Sequence, residues 1–181
     1  MLISPSWATQ FPKLIVGQST RLGGVSPAPY TSLNLGTHTQ DTPSNVEANR
    51  QLLAERIGIS TTSWAGGYQI HGAEIMVING PMICEGYDAF ITQQTGVLLT
   101  VTVADCLPIL IYDPINEAYG AAHAGWRGTV AQIAAKTLAA MVQRFSTSPE
   151  KCYAYIGAGI SRPNFEVSRD VAEQFSIHLV D

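Results

Sequence analysis

Five short apolar runs, at residues 74–78, 88–91, 97–103, 109–112 and 119–122, follow one another with only Gly, Pro and Asn signals between them. Runs this short suit strands better than helices, so the middle of the chain reads as a sheet. In the third run Val97, Leu99, Val101 and Val103 alternate with Leu98, Thr100 and Thr102, which predicts one face in the core and the other partly polar. Helices must cover that sheet. The clearest is predicted over 129–145, where Val130, Ile133, Ala134, Thr137, Leu138, Met141, Val142 and Phe145 form one stripe. Another is predicted to start at Pro43, with Thr42 as its cap, Val46, Leu53 and Ile57 at helical spacing and Gly58 at its end. Arg50 falls on that stripe, where a charged side chain either snorkels to the edge or serves a site. A strand in 14–20, a strand over 153–156, a turn at Gly157-Ala158-Gly159 and a short helix over 168–175 complete a mixed α and β pattern.

Residues 21–41 form a Gly, Pro, Ser and Asn-rich stretch with no apolar period. Loops of about twenty residues are uncommon inside compact domains and tend to be functional. At 181 residues the chain suits one domain, and a hydrophobic fraction of 46% with 13% charged residues provides a well-filled interior. A net charge of -4 and the lack of any Lys or Arg run argue against nucleic acid and anionic membrane as partners. The apolar runs are too short to cross a bilayer, and the N-terminus lacks a basic start followed by an apolar block, so a cytoplasmic location is expected. Cys84, Cys106 and Cys152 are an odd number without short paired spacing, which points to a reducing compartment and to a ligating or reactive role for any special cysteine.

Cys106 sits in Ala104-Asp105-Cys106-Leu107-Pro108, just past a predicted strand, where Pro108 is expected to force the chain out of regular pairing. It reads either as a group aimed outward at a strand end or as a buried small hydrophobe. His123 ends another predicted strand, before Gly125-Trp126-Arg127-Gly128 and the long helix. A strand, a glycine-flanked turn and a helix start leave amides free to meet an anion, although such a histidine also serves simply to cap or pack. His71, in Gln69-Ile70-His71-Gly72, gains meaning only with the other two. Together they make a His, Cys, His set that would leave the fourth position of a tetrahedral zinc open. Cys84 reads as a turn residue, Cys152 as core, His38 as a candidate to line the pocket and His178 as surface.

The chain resembles the YfiH family, also called laccase-domain or polyphenol-oxidase proteins. The resemblance rests on Thr20-Arg21-Leu22-Gly23-Gly24-Val25-Ser26, Tyr30-Thr31-Ser32-Leu33-Asn34-Leu35-Gly36, Val46-Glu47-Ala48-Asn49-Arg50, Gln69-Ile70-His71-Gly72, Asp88-Ala89, Ala104-Asp105-Cys106-Leu107-Pro108 and His123-Ala124-Gly125-Trp126-Arg127-Gly128. It implies an α/β fold, a mixed α+β sandwich with a predominantly mixed sheet, similar to the cytotoxic necrotizing factor and YfiH-like cysteine hydrolase fold. It implies zinc held by His71, Cys106 and His123, with copper less favoured. The implied chemistry is phosphorolysis of adenosine, inosine and S-methyl-5'-thioadenosine, together with deamination of adenosine. Purine nucleoside and phosphate are the expected partners. Arg50 and Arg127 are candidates for phosphate or oxyanion contacts, Asp105 for a ribose hydroxyl or for orienting a histidine, and Asn34 for substrate binding. Family members continue past the point equivalent to Asp181, so residues 1–181 are expected to form a single catalytic domain lacking the family's C-terminal segment.

Three other functions are weighed against this one. His123 would activate Cys106 in a metal-independent cysteine hydrolase or amidase. A copper-dependent polyphenol oxidase would need more ligands than one cysteine and two histidines provide for a multicopper cluster. A non-catalytic domain would bind nucleoside or zinc without turnover.

Overall fold

The computed structural model describes residues 2–175. Strands β1 (Leu2–Ile3) and β2 (Gln18–Ser19) pair antiparallel. The long loop follows, with no regular element between residues 21 and 41, and leads into helix α1 (Pro43–Ile57). Pro43 occupies its first turn and Gly58 ends it at a φ of 72°, a conformation glycine adopts without strain. Thr42 takes the cap position without a side-chain capping bond.

The central strands are β3 (Trp64–Tyr68), β4 (Ile75–Val77), β5 (Met82–Glu85), β6 (Ala89–Thr92), β7 (Leu98–Leu99), β8 (Leu107–Asp113) and β9 (Ala118–Ala124). Helices α2 (Trp126–Val130) and α3 (Ile133–Phe145), strand β10 (Tyr153–Ile156) and helix α4 (Arg169–Ala172) complete the fold. One sheet runs in the order β10-β8-β9-β6-β4 and is mixed, because β4 and β6 are parallel whereas the other pairs are antiparallel. The other is the parallel trio β5-β3-β7. The β8–β9 hairpin is fixed by Asp113, whose Oδ1 accepts the amides of Ile115 and Asn116.

Small residues decide where α3 lies. Ala118, Gly120, Ala122 and Ala124 occupy one face of β9 by strand alternation, and Ile133, Thr137 and Met141 of α3 settle on them and on Ala89, Ile91 and Ile111. Each large side chain buried there contributes roughly 1.5–3 kcal/mol. The same alternation turns Tyr119, Ala121 and His123 to the opposite face. On that side Phe90 packs with Ala65 and with the partly buried Leu99 and Val101. A largely apolar cavity of about 750 Å³ lies between the 10–21 segment, β7 and the hairpin, lined in part by Leu14, Val16, Leu53, Trp64, Leu110 and Tyr112.

Several expectations are corrected. The helix expected over 129–145 is two helices, broken at Ala131 and Gln132, where Gln132 takes a φ of 61°. The strand expected over 97–103 shrinks to Leu98–Leu99, because Thr102 is held by the Gln69 side chain, which accepts its amide and donates to its carbonyl. The strand expected in 14–20 is Gln18–Ser19 alone. Cys84 lies on β5 rather than in a turn. Pro108 lies inside β8, opposite His123. Its carbonyl accepts the Gly157 amide at 2.9 Å, so its nitrogen also faces away from β9, and the missing N–H withdraws nothing from the β8–β9 ladder.

Candidate metal centre

Two loops and a strand bring His71, Cys106 and His123 together, with their ligand atoms all within 4.8 Å of one another. His123 is buried on β9, Cys106 is half-buried immediately before β8, and His71 is exposed in the turn after β3. The β8–β9 register explains the first two, since Leu107 pairs with Ala124 and Pro108 with His123. His71 and His123 stand edge to face, their ring centroids 4.7 Å apart at 82°.

The residue that organises both histidines is Asp88, for which nothing in its local sequence predicts a role. Its fully buried carboxylate receives His123 Nδ1 at 2.8 Å and the His71 amide at 3.0 Å on Oδ1. Oδ2 receives the amides of Ile70 at 3.1 Å and Gly72 at 2.8 Å. Those bonds fix a turn in which His71 has a φ of 61°, a conformation a non-glycine residue adopts at a cost of about 1–3 kcal/mol. Burial opposes ionisation of Asp88, but the His123 bond and the Gly72 and Ile70 amides outweigh it and hold the carboxyl below its ordinary value. An ionised Asp88 accepts the Nδ1 proton of His123, leaving Nε2 free as a ligand, the arrangement that orients metal-bound histidines. The Asp88 carbonyl also accepts the His123 amide at 2.8 Å.

Cys106 is affected in the opposite direction. Burial pushes its thiol up, the negative charges of Asp105 and Asp88 add to that, and Asp105 Oδ1 accepts the thiol at 3.7 Å. A thiolate there calls for a cation beside it. Gly125 leaves the room: a Cβ on it would lie 3.0 Å from His71 Cδ2 and 3.3 Å from Cys106 Sγ. Two ligands of one tetrahedral zinc sit roughly 3.5 Å apart, so the separations need only small side-chain adjustments. One sulfur and two imidazoles around a position without a side chain therefore fit a transition-metal ion with an open coordination position.

The remaining candidates divide into two groups. Asp105 is exposed beside Cys106, and Arg127 is exposed two residues beyond Gly125, its guanidinium 4.3 Å from the Trp126 ring centroid. Arg50 and Asn34 belong instead to the framework of the long loop. Arg50 Nε donates to the Leu35 carbonyl at 3.0 Å, and its guanidinium lies 5.3 Å from the Trp64 ring centroid. Arg50 also borders a cavity of about 450 Å³ together with Thr37, Thr39 and Asp41. Asn34 donates to Thr39 and Asp41 and accepts the Gly36 amide. The anchor of this loop is Asn49, fully buried, which donates to Ser26 Oγ and to the carbonyls of Ser32 and Asn34 and accepts the Val25 amide. His178 lies outside the described residues. Among the described residues, no helix is long and apolar enough to cross a membrane.

A family model described as multi-copper polyphenol oxidoreductase laccase matches residues 15–180. The purine nucleoside phosphorylase of Deinococcus radiodurans is 43% identical over 157 residues, covering 87% of this chain and 61% of that protein. Purine nucleoside phosphorylase YfiH of Escherichia coli is 38% identical over 177 residues, covering 96% of this chain and 70% of that one. Among solved structures, YlmD from Geobacillus stearothermophilus superposes with a TM-score of 0.82 at 33% identity, covering 87% of this chain and 62% of its own. A hypothetical protein YfiH from Bacillus licheniformis gives 0.82 at 29% identity, with 87% and 63% covered. The chain thus spans less than two thirds of the Deinococcus protein's length, and its mixed α/β fold with mixed sheets is that of these two structures.

Proposed function

The chain belongs to the multi-copper polyphenol oxidoreductase laccase family, the YfiH and YlmD proteins, and from that membership we propose that it splits purine nucleosides with phosphate at a zinc site formed by His71, Cys106 and His123. The observation that carries the reading is the convergence of those three side chains beside Gly125, with Asp88 fixing both histidines. One thiolate and two imidazoles suit zinc, and one such centre does not make a multicopper cluster, which sets copper second.

When bound, zinc would supply a Lewis acid in a site that keeps one coordination position open. The rest falls to the chain. In phosphorolysis a phosphate oxygen bonds to the sugar's C1′ as the bond to the purine nitrogen breaks, and the purine leaves with that bonding pair. Arg127, exposed next to the centre, is the guanidinium of this reading that grips phosphate in a two-pronged way, with Arg50 as a second. Asp105 holds a ribose hydroxyl, and Asn34 serves substrate binding indirectly, by holding the long loop in shape through Thr39, Asp41 and Gly36. Asp88 keeps the His123 proton on Nδ1, so that the other ring nitrogen stays available as a ligand. Adenosine, inosine and S-methyl-5'-thioadenosine are the substrates of this reading, and adenosine is also deaminated to inosine with release of ammonia.

The test is incubation of purified, zinc-loaded protein with adenosine and phosphate. Adenine and ribose 1-phosphate are the expected products of phosphorolysis, and inosine that of deamination. Absence of all three removes the reading. One observation favours a second one: the Asp88–His123 bond beside Cys106 resembles the orienter and base of a cysteine hydrolase. The upward push on the Cys106 thiol weighs against it. Hydrolysis of amides that survives chelation and passes through an acyl-enzyme would select that reading.

A further inference from the structure

The end of β3 carries an aromatic pair that the chemistry described above does not use. Tyr68 is the last residue of β3 and is 42% exposed, and the imidazole of His38, from the long loop, stacks on its ring with centroids 3.2 Å apart and planes at 29°. His38 is exposed as well, and its Nε2 is held 3.0 Å from Thr37 Oγ1. Exposed rings are ordinarily free to turn, whereas here each ring rests on the other and the imidazole is also held by Thr37.

Its position relates it to the metal centre. Tyr68 precedes His71 by three residues, a reach of at most about 11 Å along extended chain. The intervening Gln69 is clamped to Thr102 in both directions, at 2.8 Å each, which ties the end of β3 to the irregular segment leading toward Cys106. The long loop meets the same place, since a Cβ on Gly36 would lie 3.6 Å from Thr102 Cγ2. The pair therefore stands on the rim formed by the segments that bear His71 and Cys106.

We propose that His38 and Tyr68 form a stacking shelf for the base of the nucleoside, so that the site selects substrates with a flat aromatic heterocycle. The proposal rests on the nucleoside reading of the metal centre and gives it a base-binding subsite. Stacking on an aromatic face contributes enough per base to change affinity about tenfold, and it accepts any flat base without hydrogen-bond readout. Two pre-stacked rings present such a face with little ordering cost. A purine lying on the shelf has its sugar free to extend toward the three ligand side chains.

The test combines kinetics with binding of free adenine by calorimetry on the full chain. Tyr68→Ala and His38→Ala are expected to raise KM for adenosine about tenfold, with a much smaller change in kcat, and to weaken adenine binding by a similar factor. Tyr68→Phe, which keeps the ring, is expected to recover the KM lost in Tyr68→Ala. Zinc content and melting temperature report whether each variant is intact. Unchanged adenine binding in a folded Tyr68→Ala protein overturns the shelf, as does a fall in kcat at constant KM. Wild-type protein that binds adenine through Tyr68 but yields neither adenine nor ribose 1-phosphate from adenosine leaves the shelf standing and removes phosphorolysis. Wild-type protein that turns over adenosine but loses nothing on Tyr68→Ala does the reverse.

Discussion

Asp88 holds four donors on one carboxylate, and its role follows from where they come from: three amides of the 70–72 turn and the imidazole of His123. Asp88→Asn keeps the shape but replaces an acceptor with a donor, so it is expected to weaken zinc binding by about 10–100-fold, measured by competition with a chromophoric chelator. The same carboxylate gives a pH dependence. Its folded-state pKa lies below the ordinary 3.8, so the stability it contributes is fully present above that value and is lost as pH falls through the lower folded value. Urea midpoints measured downward from pH 5 are expected to drop in that acid window, and to drop less in Asp88→Asn. The three candidate ligands, which the fold brings together, could be picked out in the sequence because each sits in a compact motif with glycine or proline within two residues. Asp88 was not assigned a role, because its partners lie 16 to 35 residues away and only folding reveals them.

At the scale of elements, the long loop shows how polar bonding substitutes for regular structure. Asn49, on the buried face of α1, satisfies groups from Val25, Ser26, Ser32 and Asn34 at once. Asn49→Ala leaves the Val25 amide and the Asn34 carbonyl without that partner and the Ser26 hydroxyl and Ser32 carbonyl with only their bonds to Asp41 and the Ser26 amide, so a loss of about 2–4 kcal/mol in urea unfolding, with faster proteolysis in the 21–41 segment, is expected. The loop itself and α1 were readable from composition, a proline at the helix start and a glycine at its end. Strand β3 was not, because Gly66 and Gly67 have low strand propensity. They are there for closeness: a Cβ on Gly67 would collide with the Cys84 carbonyl, and one on Gly66 with Thr100. The break between α2 and α3 was equally hidden, since no glycine or proline marks Gln132 and the apolar stripe runs on past it.

Across the whole molecule, α3 covers one face of the five-stranded sheet, and the candidate metal centre lies where β9 meets the turns after β3 and before β8. Mixed α and β class was readable from the alternation of short apolar runs and helical stripes. The division into one mixed and one parallel sheet was not, because strand pairing is set by long-range register rather than local pattern. A centre built from separate segments also links metal to stability. Chelation of the zinc-loaded protein is expected to lower its melting temperature, because an ion that binds only the folded chain stabilises it by mass action. Elemental analysis of purified, zinc-loaded protein after extensive dialysis should find about one zinc per chain in the wild type and almost none in folded Cys106→Ala or His71→Ala. Zinc retained at the wild-type level by both variants would contradict a centre made of His71, Cys106 and His123.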